Sequence, residues 1–333
     1  MEANETTNDN SGGIRVADTL YIVIPCYNEQ EVLPETSKRI GEKLKNMIKN
    51  EIVSENSRIV FVDDGSKDDT WSLIAALHEK DSVFSGVKLS RNRGHQNALL
   101  AGLLTIQESA NADMVISMDA DLQDDINAVD EMVQKYYEGC DVVYGVRDNR
   151  KKDSFFKRFT AESYYKMIRR LGGEVVFNHA DYRLLSSRAL NALSQYGESN
   201  LFLRGIVPMI GYKSAIVTYE RGERFAGESK YPLKKMLALA VDGITSLSAR
   251  PMRLITIAGI LFFGLGAAAL LFALIYSLSG GYFPGWAITA ISVWSAAGLI
   301  MLSVGVVGEY VGKIYLESKN RPRFFIEAFL HDE

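Results

Sequence analysis

Met114-Val115-Ile116-Ser117-Met118-Asp119-Ala120-Asp121 is an apolar run that ends on two acids one residue apart. Read as a strand, its alternation places Asp119 and Asp121 on the same face. Two carboxylates at the C-terminal end of a strand can hold a hard divalent cation, and such a cation is usually there to hold phosphates. By itself Asp-x-Asp is a weak pattern. Its meaning depends on what the neighbouring segments bring to the same end of the same sheet.

Working outward, apolar runs at 20–25, 58–62, 84–89, 113–118 and 142–145 read as strands. Helical patterns at 31–50, 70–79, 96–108 and 126–138 lie between them. This alternation predicts an α/β fold with a mainly parallel, doubly wound sheet and helices on both faces. Ligands of such folds bind beyond the carboxyl ends of the strands. The loops at those ends are polar: Pro25-Cys26-Tyr27-Asn28-Glu29, Asp63-Asp64-Gly65-Ser66-Lys67-Asp68-Asp69-Thr70, Ser90-Arg91-Asn92-Arg93-Gly94-His95 and Asp119-Ala120-Asp121-Leu122-Gln123, with Arg147 after the fifth strand. Neither G-x-G-x-x-G after the first strand nor G-x-x-x-x-G-K-[ST] occurs, which disfavours a dinucleotide dehydrogenase and a P-loop NTPase. Phosphates must therefore be held by a metal and by basic side chains.

The chain has 333 residues and a formal net charge of −4 from 37 Lys+Arg and 41 Asp+Glu, which argues against a nucleic-acid partner. Cys26 and Cys140, the two cysteines, form no metal or disulfide framework and read as buried thiols. Residues 1–18 are polar and read as a disordered tail, not a signal peptide. Residues 254–308 contain no charged side chain, and their two apolar runs, 254–278 and 286–307, are each long enough to cross a bilayer. Lys230, Lys234, Lys235, Arg250 and Arg253 precede the first run, Lys313, Lys319, Arg321 and Arg323 follow the second, and the turn between them has no Lys or Arg. The positive-inside rule then puts both termini and the catalytic part in the cytoplasm, on the cell membrane. The segment 230–250 reads as an amphipathic helix at the membrane interface. The expected organisation is a tail at 1–18, a catalytic domain at 19–229, the interface helix at 230–250, a two-helix hairpin at 251–309 and a cytoplasmic segment at 310–333.

Taken together, Pro25-x-Tyr27-Asn28-Glu29, Asp63-Asp64-Gly65-Ser66-x-Asp68-x-Thr70, Arg91-Asn92-x-Gly94, Asp119-Ala120-Asp121-Leu122-Gln123, Gly227-Glu228-Ser229-Lys230-Tyr231 and the two C-terminal runs resemble family 2 glycosyltransferases of the GT-A fold, of the polyprenyl-phosphate type. The resemblance runs from about residue 21 to about residue 323. The Gln-x-x-Arg-Trp motif of processive synthases is absent, which favours a single transfer.

The resemblance implies transfer of one hexose, with inversion, from a nucleotide sugar to a polyprenyl phosphate such as undecaprenyl phosphate. UDP-glucose is the first choice of donor, with UDP-N-acetylglucosamine and GDP-mannose as alternatives. It implies Mg2+ or Mn2+ on Asp121, then Asp119, with Gln123 on the same loop. It implies a nucleotide pocket from Pro25, Tyr27, Glu29, Asp63, Asp64, Asp119, Gln123, Arg91 and Lys230, and a homo-oligomer, a tetramer by analogy. Arg147 and Arg158 are the cations expected to bring two anions together, since Arg binds phosphate bidentately. Asp181, in His179-Ala180-Asp181-Tyr182-Arg183, is expected at the acceptor side, where an ionised phosphate needs no base and the acid can instead orient the sugar or an arginine. Bland readings compete at several positions: Asp68 and Thr70 suit helix capping, Glu29 suits a first-turn helix acid, and the lysines at 151, 152 and 157 suit a solvated face. Transfer to a growing glycan, or a non-catalytic membrane scaffold or transport protein, are the alternatives.

Overall fold

The computed structural model describes residues 17–147, 179–198, 202–222, 250–279 and 285–332. Most of the expected tail, residues 230–249 of the expected interface helix, Lys230 among them, and Arg158 lie outside the described residues.

Eight strands form one sheet: β1 Leu20–Cys26, β2 Arg58–Asp63, β3 Phe84–Leu89, β4 Met114–Ser117, β5 Val142–Arg147, β6 His179–Ser186, β7 Ser214–Tyr219 and β8 Ile326–Leu330, in the order β7-β5-β6-β4-β1-β2-β3-β8. β4, β1, β2 and β3 run parallel, as do β5 and β7, whereas β6 and β8 run against their neighbours. The sheet is therefore mainly parallel but mixed. Its central strands are apolar on both faces because both are covered. Leu20, Ile22, Ile24, Ile59, Phe61, Met114 and Ile116 point to one layer, against α1 Leu33–Lys49, α2 Thr70–Lys80 and α4 Ala128–Tyr137. Tyr21, Val23, Val60, Val62 and Val115 point to the other, against α3 His95–Ser109, α5 Ser187–Ser194 and α6 Leu203–Met209.

Local sequence explains the helices. α1 carries Pro34 in its first turn, where the missing N–H costs nothing, and Glu35 close by. Its buried Leu33, Ile40, Leu44 and Met47 recur at helical spacing. In α3, a Cβ on Gly102 would stand 2.6 Å from Val23 and Val62, so this glycine lets the helix lie close on β1 and β2.

Three observations depart from the sequence reading. First, β4 stops at Ser117 and not at Met118, so Asp119 and Asp121 stand in the loop after it, as in the strand-end loops read from the sequence, and do not share a strand face. The loop turns through Leu122, whose φ of 56° is incompatible with continued pleating. Second, Arg147 is the last residue of β5 instead of following it. Third, the segment after the apolar helices returns to the sheet as β8. Ser90 N donates to Phe325 O at 3.0 Å, Lys88 pairs with Glu327 at 2.8 Å, and Phe324 and Phe329 pack on the core.

Among the described residues two further helices, α7 Arg250–Leu278 and α8 Gly285–Ser318, pack against each other. In α8 the stretch Ala296–Ser318 is long and apolar enough to cross a membrane. α8 continues past residue 309, the expected end of the hairpin, because nothing breaks backbone hydrogen bonding before Asn320, whose φ is 43°. Cys26 and Cys140 are buried free thiols, as expected.

Candidate active site

The loops after β1 and β2 are joined by side chain to backbone bonds. Asn28 N donates to Ser66 Oγ at 2.9 Å, Lys67 N to Asn28 Oδ1 at 2.9 Å, and Glu29 N to Thr70 Oγ1 at 2.9 Å. Asp68 accepts from Thr70 N at 3.1 Å and from Gln30 N at 3.3 Å, so it braces both loops as well as the start of α2. Pro25 is buried under this junction, and Tyr27 and Glu29 are half-buried on it.

Asp63 and Asp64 divide their work. Asp64 accepts from Arg93 N at 2.6 Å and Gly94 N at 2.9 Å, tying the loop after β3 to β2. Gly65 makes this approach possible: its φ is +64°, and a Cβ there would lie 2.6 Å from backbone atoms of Arg91 and Asn92. Asp63 accepts from Ser66 N at 3.1 Å through Oδ1, while its buried Oδ2 has no hydrogen-bond partner. Both Asp64 oxygens, by contrast, already accept from backbone. Burial pushes the pKa of both acids up, with the hydrogen bonds from Ser66, and from Arg93 and Gly94, opposing it. Arg91 is exposed beside this junction.

The antiparallel register of β4 and β6 sets Ser117 opposite Arg183, and its continuation brings Asp119 across from Asp181. His95, at the start of α3, stands between them, with Nε2 3.5 Å from Asp119 Oδ1 and 3.5 Å from Asp181 Oδ2. Asp181 accepts from Arg183 Nη2 and from Arg204, the latter at 3.0 Å to Oδ2 and 3.3 Å to Oδ1. Burial would raise the Asp181 pKa, but Arg204, the His95 contact and Arg183 hold it well below the usual carboxylate range. Burial lowers the His95 pKa, and the Asp181 contact and the Asp119 charge more than reverse this. Burial raises the Asp119 pKa, against the pull of His95. Arg204, which the motif reading missed, arrives from α6, a segment with no motif spacing to the acids.

Asp121 Oδ1 accepts from Gln123 N at 3.2 Å. Gln123 itself faces the loop after β7: its Oε1 accepts from Arg221, and its backbone oxygen from Gly222 N at 2.8 Å. Gln123 therefore stays joined to Asp121 through its backbone N–H, while its side-chain oxygen is engaged by Arg221. Arg147, expected to face two anions, donates through Nη2 to Asp124 Oδ1 at 3.0 Å and through Nε to Tyr219 Oη at 3.2 Å. Asp124 is almost fully buried.

Among the described residues no group of three or more His, Cys, Asp and Glu converges as metal ligands. Asp119 Oδ1 is buried and accepts no hydrogen bond, and Asp121 lies on the same loop. Two carboxylates with an unsatisfied oxygen fit a hard cation that takes its remaining ligands from phosphate oxygens and water.

Residues 21–194 match the model of glycosyl transferase family 2. Over 314 residues the chain is 50% identical to the uncharacterized glycosyltransferase YkoT of Bacillus subtilis (strain 168), covering 94% of this chain and 93% of that protein. Over 311 residues it is 36% identical to the prophage bactoprenol glucosyl transferase homolog of Escherichia coli (strain K12), covering 92% and 97%. Among solved structures, mannosyl-3-phosphoglycerate synthase from Rubrobacter xylanophilus is similar with a TM-score of 0.47 and 16% identity, covering 71% of this chain and 74% of that one. The ordered strand-end loops and the match over most of the chain agree: this protein belongs to glycosyl transferase family 2 and is a glycosyltransferase.

Proposed function

We propose that the chain moves one hexose from a nucleotide sugar to a polyprenyl phosphate at a membrane surface, with inversion at the anomeric carbon. The observation that carries this reading is the state of Asp181. Asp181, which shares His95 with Asp119, is paired with two arginines and His95 that hold it as a carboxylate, and an acid so strongly held in its ionised form is a poor base. An acceptor hydroxyl needs a base; an acceptor phosphate, ionised at neutral pH, does not. Transfer to a growing glycan is therefore the weaker reading.

In the proposed step an acceptor phosphate oxygen forms a bond to the anomeric carbon as the bond from that carbon to the diphosphate breaks. The electron pair leaves with the nucleoside diphosphate, and no proton moves. Asp63, Asp64, Pro25, Tyr27, Glu29 and Arg91 would hold the nucleotide, with Lys230 reaching one of the phosphates. Asp121 and Asp119 would hold Mg2+ or Mn2+, which as a Lewis acid would stabilise the leaving diphosphate. Arg147 and Arg158 would offset repulsion between the two anions.

Supporting the lipid acceptor and glucose, several relatives at 35–36% identity are named bactoprenol glucosyl transferases. Supporting a membrane position, only residues 319–325 separate the end of α8 from β8, a reach of at most about 25 Å. β8 begins beside Leu89 and Ser90, at the same sheet end as the acids. The charge-free residues 254–308 support a two-span hairpin with the catalytic part cytoplasmic. A homotetramer is part of the same reading.

The test uses the full chain in detergent or native membranes, with UDP-glucose and polyprenyl phosphate, and follows the monoglycosyl lipid. Wild type is expected to make it, and Asp121→Asn to lose at least about a hundredfold in turnover. Unchanged turnover in Asp121→Asn would overturn the role of that acid, and a panel of donors settles the sugar.

A further inference from the structure

The end of β7 contributes a residue to the site region that no motif signals. Arg147 and Tyr219 close β5 and β7 and are register partners in the parallel pair. Their side chains and Asp124 form a closed ring of contacts. Arg147 Nε donates to Tyr219 Oη at 3.2 Å, the Tyr219 hydroxyl donates to Asp124 Oδ1 at 2.5 Å, and Arg147 Nη2 donates to the same Oδ1 at 3.0 Å. Asp124 and Tyr219 are 3% and 4% exposed, whereas the Arg147 side chain is 24% exposed. The ring is therefore buried at its base, and the partly exposed Arg147 side chain stands at the sheet end that carries Asp119 and Asp121.

We infer that Asp124 and Tyr219 are positioning residues, which fix the plane and direction of the Arg147 guanidinium so that it meets a substrate phosphate. The inference rests on the reading of phosphate-bearing substrates given above. One ion pair lets a guanidinium swivel about its partner. Two donors on one edge, held by an acceptor and a hydroxyl that are themselves bonded, remove that freedom, and a bidentate phosphate contact depends on such alignment. Burial, and then Asp124, push the Tyr219 pKa up, so its hydroxyl stays protonated and the donor order in the ring is set.

A purely structural role explains the ring less well. Asp124 Oδ2 is buried and accepts no hydrogen bond, a cost that apolar packing would avoid. The loop bearing Asp124 is also already anchored to the end of β7 through Gly222 N and Gln123 O at 2.8 Å. The ring is thus not needed to join the two loops.

The experiment measures kcat and the separate KM values for UDP-glucose and polyprenyl phosphate in the full-length enzyme. The variants are Tyr219→Phe, Asp124→Asn, Arg147→Lys and the double variants. Tyr219→Phe and Asp124→Asn are expected to raise KM about tenfold for one of the two substrates, with the other near wild type. A change confined to the lipid identifies the acceptor phosphate as the partner, and one confined to the nucleotide sugar identifies the diphosphate. In the Arg147→Lys background the same substitutions should add no further loss. Unchanged KM values for both substrates would overturn the inference, as would losses that persist in full without Arg147. Absence of any lipid glycosylation by wild type would instead overturn the functional reading beneath it.

Discussion

Replacing Asp181 by Asn tests the electrostatic centre of the site. Asp181 and Arg183 have side chains only 7% and 2% exposed, and their pair has a second guanidinium, Arg204, at 3.0 Å with 35% exposure. Asn keeps the shape and one acceptor oxygen but removes the charge. Arg183 then stays buried with no counter-charge, its Nε already lacking a partner. Removing one partner of a buried ion pair costs about 3–5 kcal/mol. The retained oxygen and the partial exposure of Arg204 place the expectation at the low end, about 3 kcal/mol. For a unit of this size, about 2–4 °C is lost per kcal/mol, so Tm should fall by roughly 6–12 °C. The assay is thermal unfolding of the full chain in detergent, followed by tryptophan fluorescence. Arg204→Ala, which removes the more exposed cation and leaves the Asp181–Arg183 pair in place, should cost clearly less. A Tm for Asp181→Asn within about 2 °C of wild type would refute the reasoning, because an uncompensated buried guanidinium cannot be that cheap.

Gly65→Ala forces a side chain into the left-handed region and against the backbone of Arg91 and Asn92. It should destabilise by about 1–3 kcal/mol and weaken nucleotide-sugar binding, read by Tm and by donor titration. The pH dependence has two limbs. The raised Asp63 and Asp64 bind protons more tightly folded than unfolded, so their contribution to stability should rise as pH falls through their raised folded values towards the ordinary carboxylate value. The lowered Asp68, Asp81 and Asp181 contribute stability that is present above the ordinary carboxylate value and lost only as pH falls through their lower folded values. A Tm that declines steadily over the first limb, or a slope that Asp63→Asn leaves unchanged, would contradict this. Removing residues 324–333 strips β3 of its antiparallel partner and should lower Tm and promote aggregation through the opened edge, whereas an unaltered Tm would show that β8 adds nothing to the sheet.

The central strands were legible because a strand covered on both faces must be a short, nearly continuous apolar run, and 20–25, 58–62 and 84–89 are such runs. β6, β7 and β8 escaped that reading. Ile216 is exposed within β7, and β8 is a five-residue edge strand, so neither carries the doubly buried pattern. The acids at 63, 64, 119 and 121 were visible because polar residues at successive strand ends converge in any doubly wound sheet.

Composition and order along the chain were therefore enough for the family, the strand-end acids and the charge-free C-terminal stretch, since these depend on local spacing. Tertiary structure alone decided the partners of those acids. Arg204 reaches Asp181 from α6, Arg221 takes the Gln123 oxygen, and Tyr219 joins Arg147 to Asp124. It also decided that Asp119 meets Asp181 across the continued antiparallel β4–β6 register. The physical reason is that long-range pairing is set by which strands become neighbours. That outcome depends on the packing of the whole sheet and leaves no fixed spacing in the sequence.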